Sequence, residues 1–263
     1  MGYRIEKDFL GEKRIPDDAY YGVQTLRGKE NFHITGIPMS QEPYFVKAFG
    51  YVKKAAALAN RDLGVLDRKV ADAIAKACDR LIAGDMRHEF VTDFIQGGAG
   101  TSTNMNANEV IANLALEILG KKKGDYHVVN PNDHVNFGQS TNDVYPTAFR
   151  LALILRLDSY MDELRRLQEA FFAKGREFEG VLKMAAPTCR TRCRCRSARN
   201  STAGAPRSAR RCSASRRCAS SCMRSTSARL RSAPRSLPRR AIPSWRRAIC
   251  RSSPDLPSCS PAT

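Results

Sequence analysis

The chain has 263 residues and a formal charge of +18, with 44 Lys and Arg against 26 Asp and Glu, a balance that invites a nucleic-acid partner. The excess is confined to one end: residues 1–184 carry 25 basic and 25 acidic side chains, whereas 185–263 carry 19 Arg, no Lys, one acid (Asp255) and 8 of the 9 Cys. A uniformly basic body is thereby excluded, and neither a membrane-spanning helix nor a secretory leader is expected, because no run of about 18 apolar residues occurs and the opening residues have no apolar core; the expected location is cytoplasmic.

In chain order, Ile5 to Thr25 reads as an irregular arm, with Pro16, paired Asp17 and Asp18, and Tyr20 and Tyr21 to pack it down. Helices follow. Phe45, Phe49, Val52, Ala56 and Ala59 recur at spacings of 4 and 3 after Pro43, which makes one apolar helical stripe. Asp67 is the expected N-cap of a second helix, with Val70, Ile74, Ala77 and Leu81 on one face and Gly84 as its stop. A third is expected from about Asn106 to Leu119, with Glu109 completing a capping box on Asn106 and Gly120 as terminator. A fourth opens at Pro146 and runs to about Met184; Leu151, Ile154, Leu157, Met161, Leu164, Leu167 and Phe171 repeat along it as in a bundle seam. No β-rich segment is expected beyond the arm. The fold class is mainly α.

Two polar segments separate these helices. Gln96-Gly97-Gly98-Ala99-Gly100-Thr101-Ser102-Thr103-Asn104-Met105-Asn106 combines three glycines with hydroxyls and amides ahead of a helix, whose free N–H groups and positive end favour an anion. A capped glycine turn is the alternative, and a nucleotide site is disfavoured because the phosphate-loop lysine is missing. In the second, Asn130 to Thr147, Ser140, Thr141 and Asn142 stand just before a helix, either as ordinary caps or as donors to a ligand. His134 reads more readily as a packed, hydrogen-bonded side chain than as a catalyst. Two such loops in one helical body suit a carboxylate ligand.

The tail has one aromatic residue, Trp245, no apolar periodicity and strong like-charge repulsion, so composition leads us to expect disorder. Its Arg/Ser/Ala/Pro/Cys vocabulary is what GC-rich coding DNA yields in the wrong frame. Back-translation from Met184 with one G restored can read R-T-H-L-Q-D-A-V-P-M, and two further stretches regain acids and apolar residues in the same shifted frame. The rival readings are an RNA-binding tail, which lacks regular Arg-Ser repeats and interleaved aromatics, and a metal cluster at Cys189, Cys193 and Cys195, whose C-x3-C-x-C spacing lacks the pairing of a zinc site.

Residues 3–184 resemble the aspartase/fumarase superfamily, and within it the aspartate ammonia-lyases. The resemblance is carried by Arg4-Ile5-Glu6, Tyr20-Tyr21-Gly22-Val23-Gln24-Thr25-Leu26-Arg27, Val52-Lys53-Lys54-Ala55-Ala56-Ala57, the glycine-rich segment and Asn130-Pro131-Asn132-Asp133-His134-Val135-Asn136. Fumarases typically have T-G-S-G-T-Q-T-N-M-N, a His at the position of Asn130 and a Trp at that of Tyr21, and in all three places this chain is similar to the aspartases. The shifted tail string also resembles that family's next segment.

The resemblance implies an N-terminal lyase domain over 1–140, the first helix of a central helical bundle over 141–184, and an out-of-frame tail over 185–263. It implies a carbon–nitrogen lyase that converts aspartate to fumarate and ammonia by anti β-elimination, with neither cofactor nor metal. Thr101, Ser140 and Thr141 would hold the carboxylate on which charge accumulates, and Asn142 with Thr101 the amino group. The family's base, a serine on a mobile loop, and its carboxylate-binding lysine have no counterpart in this chain, so the chain as written is expected to be inactive. The implied partners are a small dicarboxylate and, in a homotetramer, further copies of the subunit, with no specific nucleic acid and no membrane. Class II fumarase is the alternative within the superfamily, and an Arg-rich nucleic-acid-binding protein the alternative outside it.

Overall fold

A computed structural model describes residues 2–184 together with 194–196 and 214. Apart from those positions, the disorder and the cysteine cluster considered for the tail lie outside the described residues. The described chain divides into two compact units, with the division after Leu155.

The first unit opens differently from the irregular arm expected of it. Tyr3–Asp8 (β1) and Gly11–Pro16 (β2) form an antiparallel hairpin in which Tyr3 faces Pro16 and Asp8 faces Gly11. Val23–Asn31 then forms a helix, α1. The hairpin is too polar and too short to show a clean alternation. Long-range hydrogen bonds hold it instead: Arg4 donates to the carbonyls of Pro16, Ala19 and Tyr21 and pairs with Glu6 at 2.8 Å, while Arg27 of α1 grips Asp8.

The next two helices match their sequence signals. Pro43–Asp62 (α2) starts with Pro43 in its first turn and buries Phe45, Phe49, Val52, Ala56 and Ala59. Arg68–Ala83 (α3) is capped by the Asp67 carboxylate, which accepts from the Lys69 and Val70 N–H groups, and it ends on Gly84 at φ +103°, where a side chain would be strained. The two pack closely at Gly50, where an added Cβ would stand 2.9 Å from Ile82 and 3.2 Å from the Cys78 carbonyl. Burial of a side chain such as Phe49 or Leu81 stabilises the core by about 2 kcal/mol each. Cys78 is fully buried, and burial pushes its thiol up to about 12, so it behaves as a small apolar residue.

The third expected helix begins five residues earlier than its apolar pattern suggests. Thr101–Ile118 (α4) is buried on nearly every side from Thr103 to Leu116, the signature of a central helix. Its polar residues are not caps of its own first turn. Asn106 donates to the Glu89 carbonyl at 3.0 Å and Asn113 to the Tyr20 carbonyl at 2.8 Å, so they tie surrounding segments to the helix. Glu109, expected in a capping box with Asn106, caps α1 instead. Its carboxylate accepts from the Gly22, Gln24 and Thr25 N–H groups at 2.8–3.0 Å and from the Thr25 hydroxyl at 2.5 Å, while Glu6 accepts from the Val23 N–H. Burial pushes Glu109 up to about 7 against the pull of those donors.

The fourth helix also starts early. Thr141–Glu177 (α5) carries Pro146 inside its second turn rather than at its start. A proline there removes only the donor to the Asn142 carbonyl, next to the exposed end, and the helix continues. Within the first unit Val144, Ala148, Leu151 and Ala152 of α5 are buried. In the second unit Met161 and Leu164 are buried, whereas Leu167, expected on the same seam, is half-exposed. Leu182–Met184 (β3) pairs antiparallel with Arg194–Arg196 (β4), a short ribbon that the composition gave no reason to expect. Among the described residues no helix is long and apolar enough to cross a membrane.

Candidate active site

Both polar segments end as helix starts: Thr101 is the first residue of α4 and Thr141 the first of α5. The glycine-rich segment folds back over α4. The Gln96 side chain accepts from the Thr103 N–H at 2.9 Å and donates to the Thr103 hydroxyl, which satisfies one of the helix's unpaired donors. Gly100 precedes the helix at φ +81°, and a Cβ there would overlap the ring of Tyr145 from the second turn of α5. Only glycine supplies both the left-handed backbone and the room. The Tyr145 ring is held in turn by Phe45 and Phe49 of α2, with centroids 5.3 and 6.3 Å away.

Asn104 makes the direct link between the two segments. Its Nδ2 donates to Asn136 Oδ1 at 3.2 Å and lies 3.4 Å from Thr141 Oγ1. The positive ends of two helices are therefore joined through one buried amide. Ser140 and Thr141 are half-buried and Asn142 is exposed, and the Ser140 hydroxyl accepts from the Asn142 N–H at 3.3 Å in the manner of an ordinary turn. Thr101 is exposed and faces a groove of about 680 Å³ between the hairpin tip, α1 and α4, which is also lined by Arg27, Gln24 and Ser102. Ser140, Thr141 and Asn142 do not line that groove, and of these three Thr141 contacts α4 through Asn104.

The segment before α5 makes one π-helical turn, Pro131–Val135, capped by Asn130, whose side chain accepts from the Asn132 and Asp133 N–H groups. His134 sits in this turn with Nδ1 accepting from the Asn130 N–H at 2.9 Å. That is the packed, hydrogen-bonded role anticipated for it, and it places the proton of the neutral ring on Nε2.

The sequence reading missed Lys53. It is fully buried on α2, and its Nζ donates to Asn136 Oδ1 at 2.8 Å and Gln139 Oε1 at 3.0 Å. Burial lowers its pKa to about 7. The available signal was its position: Lys53 follows Val52 and precedes Ala55 and Ala56 on an apolar face, where a solvated lysine does not belong.

Residues 11–192 match the family model described as Lyase, and the chain belongs to that lyase family. Over 181 residues, 69% of this chain, it is 59% identical to the aspartate ammonia-lyase of Pseudomonas aeruginosa and 54% identical to that of Helicobacter pylori. With the aspartate ammonia-lyase of Escherichia coli the identity is 51% over 182 residues. The matched segment is 38–39% of those relatives, so the chain spans about two-fifths of their length. Among solved structures it is similar to the fumarate lyase:delta crystallin from Brucella melitensis in native form, with a TM-score of 0.84, 42% identity, 96% of this chain covered and 57% of that one. It is also similar to a class II fumarase from Schistosoma mansoni, with a TM-score of 0.69 and 31% identity over 81% of this chain and 44% of that one.

Proposed function

We propose that residues 1–184 are the N-terminal part of an aspartate ammonia-lyase, a cytoplasmic homotetramer when whole, and that the reading frame is lost close to Met184. The observation that carries the reading is the match of residues 11–192 to the lyase family with identities of 51–59% to aspartate ammonia-lyases, and the starts of α4 and α5, linked by the Asn104–Thr141 contact, supply two positive helix ends suited to an anion. Identities of 51–59% with aspartate ammonia-lyases, against 31% with the class II fumarase, favour ammonia over water as the leaving group.

In this reading Thr101, Ser140 and Thr141 stabilise the charge that develops on one substrate carboxylate when the neighbouring carbon loses its proton. Asn142 and Thr101 orient the amino group that departs. Donors fixed before the reaction act on the transition state without reorganising, and removal of one typically costs about 10²-fold or more in rate. The base and the lysine for the second carboxylate belong to segments that follow in the family, so the chain as written should release no fumarate from aspartate.

The test restores one G after the Met184 codon. The product should convert aspartate to fumarate, and Thr101→Ala or Asn142→Ala should lower kcat/KM by about 10² or more. A restored enzyme that hydrates fumarate to malate and ignores aspartate would promote the fumarase alternative. Resequencing the gene across Met184 tests the frame directly.

A further inference from the structure

Besides its aromatic contacts to Tyr145, the α2 helix presents a fully buried lysine, Lys53, to the segment before α5. The Lys53 ammonium is met by two neutral side-chain oxygens, Asn136 Oδ1 at 2.8 Å and Gln139 Oε1 at 3.0 Å. Its ionisable neighbour on α3 is Cys78, held protonated by burial, and the adjacent Lys54 turns outward to Asp79 at 2.6 Å. A lysine retained in the core without a carboxylate partner is costly unless its donors are needed there.

What they do can be followed atom by atom. Nζ donates to both amides, so both present oxygen to it and their nitrogens face away. Those nitrogens tie down the loop: Asn136 Nδ2 donates to the Gln139 carbonyl at 3.1 Å, and Gln139 Nε2 donates to the Val135 carbonyl at 2.8 Å. The same Asn136 oxygen accepts from Asn104, which reaches Thr141. From α2, Asn60 adds a second tie to the Phe137 carbonyl at 3.1 Å. Residues 135–139 are thus folded around one cation immediately before the Ser140–Asn142 turn.

We propose that Lys53 is a positioning residue of the dicarboxylate site: through Asn136 and Gln139 it fixes the amide orientations and the loop that place Ser140, Thr141 and Asn142. The inference rests on the reading of those three residues as substrate ligands. With methionine at position 53 the two oxygens would face an apolar chain, the amides would turn, and the Val135 and Gln139 carbonyls would lose their donors.

The test uses the full 263-residue chain, isotopically labelled, with NMR of the Asn136 and Gln139 side-chain amides and the backbone amides of Ser140, Thr141 and Asn142. Lys53→Met should move all five sets of resonances while the Gly22 and Thr25 amides at the start of α1, bound to Glu109 halfway along α4, stay in place. Lys53→Arg, which keeps the cationic donor, should restore them. A Lys53→Met spectrum unchanged at residues 140–142 would overturn the proposal. If Lys53→Met does not fold, Asn136→Ala, which removes the relay and keeps the lysine, must displace the same three backbone amides, and their staying in place is equally fatal. Fumarate added to the unmutated chain separates the two readings. Absence of shifts at Thr101 and residues 140–142 counts against the dicarboxylate site, whereas the coupling to Lys53 stands or falls on the variants alone.

Discussion

Gly100→Ala tests whether the two helix starts are locked together as described. Alanine must adopt φ +81°, which costs about 1 kcal/mol, and its Cβ must also displace the Tyr145 ring, which is braced by Phe45 and Phe49. Overpacking of that kind adds about 1–3 kcal/mol, so the total is about 2–4 kcal/mol. For a body of this size that corresponds to a fall in Tm of about 6–12 °C in a circular-dichroism melt. Gly98→Ala is the matched control. Gly98 sits at φ +70° with open space where its Cβ would be, so it bears only the backbone cost of about 1 kcal/mol. The double variant Gly100→Ala, Tyr145→Ala should lose less than the sum of its parts, because the clash disappears with the ring. If Gly100→Ala melts within about 2 °C of Gly98→Ala, the Tyr145 contact does not lock the helices and the argument fails.

Two further outcomes follow from the buried carboxylates. Glu109→Ala removes the acceptor of three N–H groups and a hydroxyl at the start of α1, at a cost of about 3–5 kcal/mol; the Gly22, Gln24 and Thr25 amides should then exchange with solvent far faster than in the parent, and unchanged protection would contradict the cap. Asp93 accepts from the Ile34, Thr35, Gly36 and Ile95 N–H groups and the Thr35 hydroxyl, and although burial opposes it, these bonds hold the carboxyl well below its ordinary 3.8. The unfolded chain therefore takes up that proton first, so the stabilisation is complete above the ordinary value and is lost as pH falls below it. Asp93→Asn should flatten the acid limb of a plot of urea midpoint against pH, and an identical limb in both proteins would count against this.

Local patterns in the sequence were sufficient for α2 and α3, because each has a cap, a stop and an apolar stripe within its own span. They failed where a residue's partner lies far along the chain. Glu109 satisfies a local capping pattern, yet its carboxylate is spent on α1, more than eighty positions earlier. The starts of α4 and α5 were set too late because their first turns are polar, and the apolar period begins only once the helix enters the core. At the site, Thr101, Ser140, Thr141 and Asn142 were legible as donors at helix starts, whereas nothing local shows that Asn104 and Lys53 both meet Asn136, even though apolar neighbours mark Lys53 as buried.

The cap of α1 also constrains the order in which the chain is completed. A nine-residue helix is marginal by itself in water, and the carboxylate that satisfies its first turn sits on α4. During synthesis the hairpin and α1 leave the ribosome long before Glu109 exists, and they cannot close onto a helix not yet made. Contacts of such sequence separation form late because the loop between them must first be closed. The earliest residues to be translated are therefore among the last to be fixed, and until α4 arrives the first turn of α1 lacks the acceptor that satisfies it.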